Sequence, residues 1–387
     1  MKIVISGIGT VSAAGINLSE NLDSLRHGKR NSGPVSVFSS CLSYPVFEVK
    51  YLPEKWKIDG MRTLSLALAA TEEALNDAGL PKQLSEFKAG VCLGTTVASQ
   101  LNDMDFYNSF RKSGSADLKP VDRFLRGNIA EAVAHTVKAI GPATTVVNAC
   151  SSGTDAIGIA LSWLKSGICN VAIAGGADEL NRVPLCGFGS LGILSNSLCA
   201  PFDRNRAGLN LGEGAGILVL EREDFYIRRG GKPVLYLSGY GSAADAYHLT
   251  APRPDGKGLE SALRSALYDS GISPEEVCFV NAHGTGTIDN DKVEGSVLSR
   301  VFGENISFFS TKGYTGHTLG GAGGIEAAYT AAALKEGWIP ASAGFACRDD
   351  EIPLTPVTEN TDIKGSFAVS TSLAFGGNNA AIVIERA

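Results

Sequence analysis

One cysteine of the chain lies where a strand-like segment gives way to a helix-like one. The β-branched run TTVV at 144–147 predicts a buried strand, and the apolar run at 156–164, closed by Gly167, predicts a helix. Cys150 lies between them, in NACSSG, at the predicted start of the helix. Unpaired backbone N–H groups and the positive end of the helix dipole favour a thiolate there. Cys150 is therefore a candidate nucleophile, and the competing interpretation is a buried structural cysteine.

Two of the five histidines lie in turns rich in glycine and threonine that follow apolar, strand-like segments. His283 stands in VNAHGTGT and His317 in STKGYTGHTLGGAGG. In open α/β sheets such turns, at the carboxyl ends of the strands, bind ligands. His27, His135 and His248 have no comparable motif around them, so we expect these three to be structural or solvent-exposed.

A cysteine beside two histidines is suited to acyl transfer through a thioester. Imidazole N–H groups can stabilise a carbonyl oxygen that becomes an enolate, which decarboxylative carbon–carbon bond formation requires. Lys312 precedes His317 by five residues and can supply positive charge, and Glu326 on the following helix can orient it. The alternative for this pair is an ordinary ion pair.

Two further features have both a functional and a structural interpretation. The FGG turn at 375–377, before the last strand, can direct backbone N–H groups at an oxyanion, or it is a tight turn with a packed phenylalanine. Asp291 and Glu294 follow His283 closely, and they either support its loop or cap a helix.

Composition limits the classes of protein to consider. The chain has 387 residues, of which 44% are hydrophobic and 19% charged, and this predicts a core-rich globular protein. A net charge of −6 and the lack of a Lys/Arg-rich run argue against nucleic-acid binding, and no apolar segment has the length of a membrane span. The eight cysteines are scattered without a C-x-x-C pair, which is typical of reduced thiols in a cytoplasmic protein and predicts no metal site.

A weak internal repeat organises the chain. Helix and strand signals alternate, which indicates an α/β fold, and four segments recur in the same order. The matching pairs are 2–14 with 234–246, 90–96 with 277–285, the Cys150 region with 306–337, and 215–221 with 380–386. We therefore predict two similar halves, 1–225 with the nucleophile and 230–387 with the two histidines. The segments 36–62 and 101–137 do not repeat, and we expect them to cap the active site or to form a subunit contact.

The motifs together resemble those of the β-ketoacyl-acyl-carrier-protein synthases. The resemblance is carried by NACSSGTDA, AHGTGT with DKVE, STKGYTGHTLGGAGGIE, PFDRNRAGLNLGEGAG and the terminal FGGNN. It extends from Ile3 to Ile384 and is closest to the elongating enzymes with a Cys–His–His set. It implies the thiolase fold, with two duplicated halves in a five-layer α-β-α-β-α sandwich, as a homodimer or as a heterodimer with a related subunit.

The resemblance also implies roles for individual residues. Cys150 would accept the growing acyl chain from its carrier. His283 and His317 would stabilise the enolate formed when a malonyl thioester loses carbon dioxide. Lys312 and Glu326 match the supporting lysine and glutamate.

Other parts of the site follow from the same motifs. Phe375 matches the gating phenylalanine, and its backbone N–H would form the oxyanion hole with that of Cys150. Thr285 and Thr287 match the threonines that contact phosphopantetheine. That arm belongs to the acyl-carrier protein, so we expect the enzyme to need no cofactor or metal of its own.

Departures from the family pattern concern the gate and the carrier-docking surface. Ala374 replaces the usual glycine, which should stiffen the gate, and Leu373 stands where a second phenylalanine is common. The basic pair expected before the helix at 63–80 reads Ile58-Asp59. The remaining docking candidates are Lys55, Lys57, Arg62, Arg204 and Arg206.

The predicted function is chain elongation by an acyltransferase, in fatty acid, type II polyketide or aryl-polyene synthesis. A thiolase would need a second cysteine near the last glycine turn, and a chain-initiating synthase would have asparagine where His317 stands. The alternative from another class is a non-catalytic chain-length partner of a heterodimeric ketosynthase. Such partners usually lack the nucleophile, so Cys150 argues against it.

Overall fold

The computed structural model describes residues 1–98, 104–125 and 128–387. The strands are β1 (Ile3–Ser12), β2 (Ala89–Gly94), β3 (Ala143–Val146), β4 (Val171–Asp178), β5 (Gly214–Arg222), β6 (Leu235–Ala244), β7 (Val277–Asn281), β8 (Ser307–Phe309), β9 (Trp338–Ile339), β10 (Thr361–Asp362), β11 (Phe367–Ala374) and β12 (Asn378–Arg386). The helices are α1 (Leu18–Arg26), α2 (Arg62–Asp77), α3 (Met104–Ser113), α4 (Lys119–Leu125), α5 (Ile129–Val137), α6 (Ser152–Lys165), α7 (Arg182–Ser190), α8 (Glu223–Arg228), α9 (Lys257–Ser270), α10 (Ile288–Phe302), α11 (Lys312–Thr315) and α12 (Ala322–Glu336).

The main sheet has the same strand order in each half when it is followed outwards from its centre. Its order is β3-β2-β4-β5-β1-β6-β12-β11-β7-β8, and β1 and β6 meet at the centre through a single pair, Val4 with Tyr236. In the first half β2 runs parallel to β3 and β4, and β5 runs antiparallel to β4 and β1. In the second half β7 runs parallel to β8 and β11, and β12 runs antiparallel to β11 and β6. The predicted duplication is therefore confirmed, and the boundaries at 225 and 230 stay a prediction.

Three hydrophobic clusters separate five layers. One cluster packs α2 and α5 against the first half of the sheet, and another packs α9 and α10 against the second half. The third cluster, with Ile157 of α6 and Ala331 of α12, lies between the two halves. This is the predicted α-β-α-β-α sandwich. The helix predicted at 63–80 is α2, and the chain turns at Gly79, which has a φ of +63°.

The central helices α6 and α12 touch through their backbones. A Cβ atom on Gly153 would lie 2.7 Å from the backbone nitrogen of Gly324, a distance that side chains do not tolerate. Glycine at these positions lets the first turns of the two helices meet. Because Cys150 precedes α6 and His317 precedes α12, this close approach brings their side chains to the same place.

Two sequence expectations need correction or completion. The strand predicted to be buried at 144–147 is β3, an edge strand that pairs only with β2 within the described ranges, and Thr144 and Val147 are exposed. Its β-branched residues fit a strand, but they do not distinguish a central strand from an edge. Parts of the non-repeating segment 101–137 lie outside the described residues, whereas α5 packs into the outer core of the first half.

The described residues also bear on membrane and disulfide expectations. None of their helices combines the length and the apolar character that crossing a bilayer requires. All eight cysteines are free thiols; Cys92, Cys150, Cys169 and Cys199 are buried.

Candidate active site

Cys150 is presented by a tight turn between β3 and α6. Ala149 has a φ of +49°, a left-handed conformation that costs a non-glycine residue free energy. The Ser152 hydroxyl accepts a hydrogen bond from the backbone N–H of Asn148 (2.8 Å) and donates one to the carbonyl of Ala149 (2.6 Å). Helix α6 begins only at Ser152, so Cys150 lies just before its first turn.

One predicted histidine contacts this cysteine, and the other packs against the first. The distance from Cys150 Sγ to His317 Nε2 is 3.0 Å. The rings of His283 and His317 lie perpendicular, with centroids 5.1 Å apart. Cys150 belongs to the first half of the fold and the two histidines to the second, so the three side chains converge from opposite halves.

Lys312 fixes the ring of His283. Its Nζ lies 3.0 Å from His283 Nδ1 and 2.6 Å from the His283 carbonyl oxygen, and it forms a buried ion pair with Glu326. An ammonium group only donates hydrogen bonds, so Nδ1 is the acceptor and the proton of the neutral ring resides on Nε2. The pair predicted from sequence therefore contacts a site histidine as well as forming an ion pair.

Burial controls the charge of the site. It lowers the pKa of His283 and His317 well below the ordinary value, and the positive charge of Lys312 adds to this effect, so both rings are neutral at pH 7. Burial also raises the pKa of Glu326 to about 7, although Lys312 opposes that rise.

The expectation that Cys150 rests as a thiolate is wrong, and burial is again the reason. Burial raises the pKa of Cys150 to about 12, and the charge of Lys312 and a hydrogen bond from the backbone N–H of Phe375 lower it only in part. The resting group is a thiol, because its desolvation outweighs the helix-dipole effect that the sequence indicates.

The two acidic residues after His283 hold its loop. Glu294 is fully buried and accepts hydrogen bonds from the backbone N–H groups of His283 and Gly284, both at 2.8 Å, and from the Thr371 hydroxyl at 2.7 Å. Asp291 likewise accepts from the backbone of Phe202 and Gly286. Of the two open interpretations, loop support is what the contacts show.

The FGG turn is a tight turn with a packed phenylalanine, and one of its backbone N–H groups faces the nucleophile; its role toward an oxyanion stays a prediction. Gly376 and Gly377 have φ values of +85° and +77°, which the tight turn between β11 and β12 requires. The Phe375 ring stacks on Phe188 with centroids 5.3 Å apart, while its backbone N–H faces Cys150 Sγ. Ala374 pairs with Asn378 at the end of β11 and has no positive φ.

A cavity of about 360 Å³ connects these groups with the surface. Its wall includes Cys150, His283 and His317, and the exposed Ile288 lies at its rim. Thr285, which is buried, and Thr287, which is half-buried, also line this cavity, with their hydroxyl oxygens 2.9 Å apart. Within the described part of the chain, no group of three or more His, Cys, Asp or Glu side chains is arranged to hold a metal ion.

Sequence reasoning missed two residues near the site. Asp178 is fully buried at the end of β4 and accepts hydrogen bonds from the Thr95 hydroxyl and the Gly320 N–H, both at 2.7 Å. Its position at the carboxyl end of an apolar strand is the signal that singled out the histidines, and it could have identified Asp178 too. Phe188, the stacking partner of Phe375, has no comparable sequence signal.

Two carrier-docking candidates have other contacts. Arg206 is buried, and its guanidinium pairs with Asp349 at 2.5 Å and with Asp291 at 3.8 Å, so it presents no charge to a partner. Arg62 is half-buried and bound to the buried Glu213 at 2.6 Å. Exposure is not encoded in the PFDRNR motif, so the sequence alone could not separate the buried Arg206 from the exposed Arg204.

Comparisons with known proteins agree with this geometry. Family models match at residues 54–225 (Beta-ketoacyl synthase, N-terminal domain) and 235–346 (Beta-ketoacyl synthase, C-terminal domain). The 3-oxoacyl-[acyl-carrier-protein] synthase 2 of Synechocystis sp. is 33% identical over 407 residues, which cover 100% of this chain and 98% of that protein.

Solved structures extend the likeness to the fold. The ishigamide ketosynthase/chain length factor superposes with a TM-score of 0.94 at 31% identity, covering 99% of this chain and 98% of the other. A type II PKS ketosynthase in complex with its acyl-carrier protein, bound to the hexaketide, gives a TM-score of 0.90 at 25% identity, covering 100% and 99%. With its duplicated sheet and its converging cysteine and histidines, the chain belongs to the beta-ketoacyl synthase family.

Proposed function

We propose that this protein is a 3-oxoacyl-[acyl-carrier-protein] synthase that elongates an acyl chain by decarboxylative Claisen condensation. The observation that carries the proposal is the 3.0 Å distance from Cys150 Sγ to His317 Nε2, with His283 packed edge-on against His317. A nucleophile and two neutral imidazoles at one cavity wall are what the two half-reactions need.

In the first half-reaction, Cys150 accepts the acyl group. Sγ attacks the carbonyl carbon of the acyl-carrier thioester, and the backbone N–H groups of Cys150 and Phe375 stabilise the oxyanion. The carrier sulfur leaves as the thiol with the proton that Cys150 loses. A hydrogen bond from His317 Nε2 favours the sulfur anion that develops during the attack, which offsets the high pKa of the buried thiol.

In the second half-reaction, the malonyl thioester loses carbon dioxide. The electron pair of the broken C–C bond moves into an enolate, whose oxygen accepts hydrogen bonds from Nε2 of His283 and His317. Both rings donate as neutral groups because burial and Lys312 keep their pKa low. The acylated sulfur carries no negative charge and is a poor hydrogen-bond acceptor, so the N–H at His317 Nε2 is free for this second task.

Condensation then closes the cycle. The enolate carbon attacks the acyl carbonyl on Cys150, the C–S bond breaks, and the β-ketoacyl chain remains on the carrier. The released sulfur anion takes a proton from water. We assign contact with the phosphopantetheine arm to Thr285 and Thr287, because they line the same cavity as the sulfur and as the exposed Ile288.

A second subunit completes the proposed enzyme. One edge of β3 has no strand partner within the described chain, and Ile140 and Val147 beside it are 69% and 68% exposed. Such an edge favours pairing with another chain. The neighbouring ketosynthases were solved with a chain length factor or a carrier protein. We therefore propose a homodimer or a heterodimer with a related subunit that receives an acyl-carrier protein, in the cytoplasm.

The proposal is tested with purified protein and carrier thioesters. Incubation with an acyl-carrier thioester should add the acyl mass to the Cys150 peptide, and malonyl-carrier protein should then yield β-ketoacyl-carrier and carbon dioxide. Cys150→Ala, the control, should take up no acyl group. If wild-type protein in a complete dimer is never acylated, the non-catalytic partner role replaces the proposed one.

A further inference from the structure

The turn that carries Cys150 is tied down by a carboxylate outside the reacting set. Asp155, one turn into α6, accepts hydrogen bonds from Asn148 Nδ2 (2.6 Å) and from the Ser151 hydroxyl (2.8 Å). These two donors flank the strained Ala149 and the nucleophile. Asp155 therefore bonds both ends of the segment whose conformation sets the direction of Sγ.

The third donor to this carboxylate comes from the other half of the fold. The Tyr240 hydroxyl, on β6, donates to Asp155 Oδ1 at 2.8 Å. Its ring lies flat on α6 at Gly158, where a Cβ atom would be 2.5 Å from the ring carbons. Asp155 is 5% exposed, and within the described ranges no lysine or arginine pairs with it. The carboxylate is thus held by three neutral donors, two from the Cys150 turn and one from β6.

We infer that Asp155 and Tyr240 are positioning residues, which keep the Cys150 turn in register with His317 across the two halves of the fold. The Cys150 Sγ–His317 Nε2 contact joins side chains from opposite halves, and the Tyr240–Asp155 bond is a second link between those halves on the nucleophile's own helix. The expected effect on catalysis rests on the proposed function. The expected effect on the reactivity of the Cys150 thiol does not, and it can be measured without a carrier protein.

The test measures alkylation of Cys150 by iodoacetamide across pH, read on the Cys150 peptide by mass spectrometry. The S–C bond forms as iodide leaves, and the thiol proton passes to solvent. In Tyr240→Phe and Asp155→Asn, Sγ loses its fixed hydrogen bond to His317, so alkylation at pH 7 should slow about tenfold. From pH 7 to about pH 10 the variant and wild-type profiles should run parallel, because both lie below the thiol pKa of about 12.

Two controls separate positioning from general damage. Tyr236→Phe removes a hydroxyl from the same strand that donates to Glu223 at 2.6 Å, away from the site, and it should alkylate like wild type. Alkylation of the double variant should be no slower than that of the slower single variant, because both substitutions remove the same hydrogen bond between Tyr240 and Asp155. The other charged or titratable groups that act on the Cys150 thiol are unchanged in all variants: His317, Lys312, Asp178 and Glu326.

The two half-reactions, measured separately, test the inference a second time. Decarboxylation of malonyl-carrier protein relies on His283 and His317 and should stay within about twofold of wild type, while acyl transfer to Cys150 falls about tenfold. Folded Tyr240→Phe that alkylates at the wild-type rate overturns the inference, as does equal slowing in Tyr236→Phe. A wild-type protein that reacts with iodoacetamide but accepts no acyl group would contradict the proposed function instead.

Discussion

The two halves of the fold place loops at equivalent strand ends and use them differently. In the first half, the loop at 95–98 follows β2 and is held by Asp178, which accepts from the backbone N–H groups of Thr96 (2.8 Å) and Val97 (3.0 Å). In the second half, the loop at 282–286 follows β7 and is held by Glu294. The backbone of each loop donates hydrogen bonds to a buried carboxylate, but only the second loop carries a histidine.

The turns before the central helices diverge in the same way. The turn before α6 presents a thiol, whereas the segment before α12 presents His317 and is preceded by Lys312. The second half thus concentrates the groups that stabilise negative charge, and the first half supplies the nucleophile. A duplicated scaffold can divide a reaction between its halves, and Lys312 links the two parts because its charge lowers the pKa of both histidines and, across the boundary, that of Cys150.

The largest expected effect comes from removing the nucleophile, which the first half supplies. Cys150→Ala should lower condensation by at least about 10³-fold, because no other thiol of the described residues lines the cavity. Decarboxylation of malonyl-carrier protein, measured as released carbon dioxide, should persist in the same variant since both histidines remain. Loss of both activities together would show that the halves do not divide the work.

The complementary change is His283→Ala. Removing one of two enolate donors should lower decarboxylation by about 10²- to 10³-fold. Acylation of Cys150, followed by mass spectrometry, should stay close to wild type, because His283 does not contact Sγ directly. His317→Ala is the informative comparison: this ring touches both the sulfur and His283, so both measurements should fall.

What the sequence could predict follows this division. The order of four repeated segments was enough for the duplicated sheet, and glycine-rich turns after strands located Cys150, His283 and His317. The sequence could not predict that β3 lies at the edge of the sheet, because edge strands and central strands use the same β-branched residues. Nor could it give the high pKa of Cys150, because desolvation depends on residues from both halves closing over the sulfur. The stacking of Phe188 on Phe375 joins distant segments and has no local signal.

Charge in the second half sets a pH dependence. Lys312 lowers the pKa of both histidines, so Lys312→Met should raise those values. Burial, the larger cause, still holds both values below the ordinary one, so the rings of the variant gain protons only in acid, though at a higher pH than in the wild type. A protonated ring is no longer the neutral donor that His283 is in the wild type, and the His283 ring also loses the ammonium that fixes it. We expect decarboxylation of the variant to be about tenfold slower at neutral pH and to decline further in acid. A variant profile parallel to that of wild type would contradict this role of Lys312.

The smallest effects are expected from substituting the two carboxylates that hold the loops, Glu294 and Asp178. Glu294→Gln and Asp178→Asn each put an amide where backbone N–H groups need an acceptor, so each should lower the free energy of unfolding by about 1–3 kcal/mol. Thermal or denaturant unfolding measures that loss, which should be similar in the two variants because both carboxylates are fully buried. Their activities should differ: Glu294 bonds the backbone of His283 itself, so Glu294→Gln should slow decarboxylation more than Asp178→Asn. Equal slowing would mean that the first-half loop also orients a histidine, through the bond from Gly320 to Asp178.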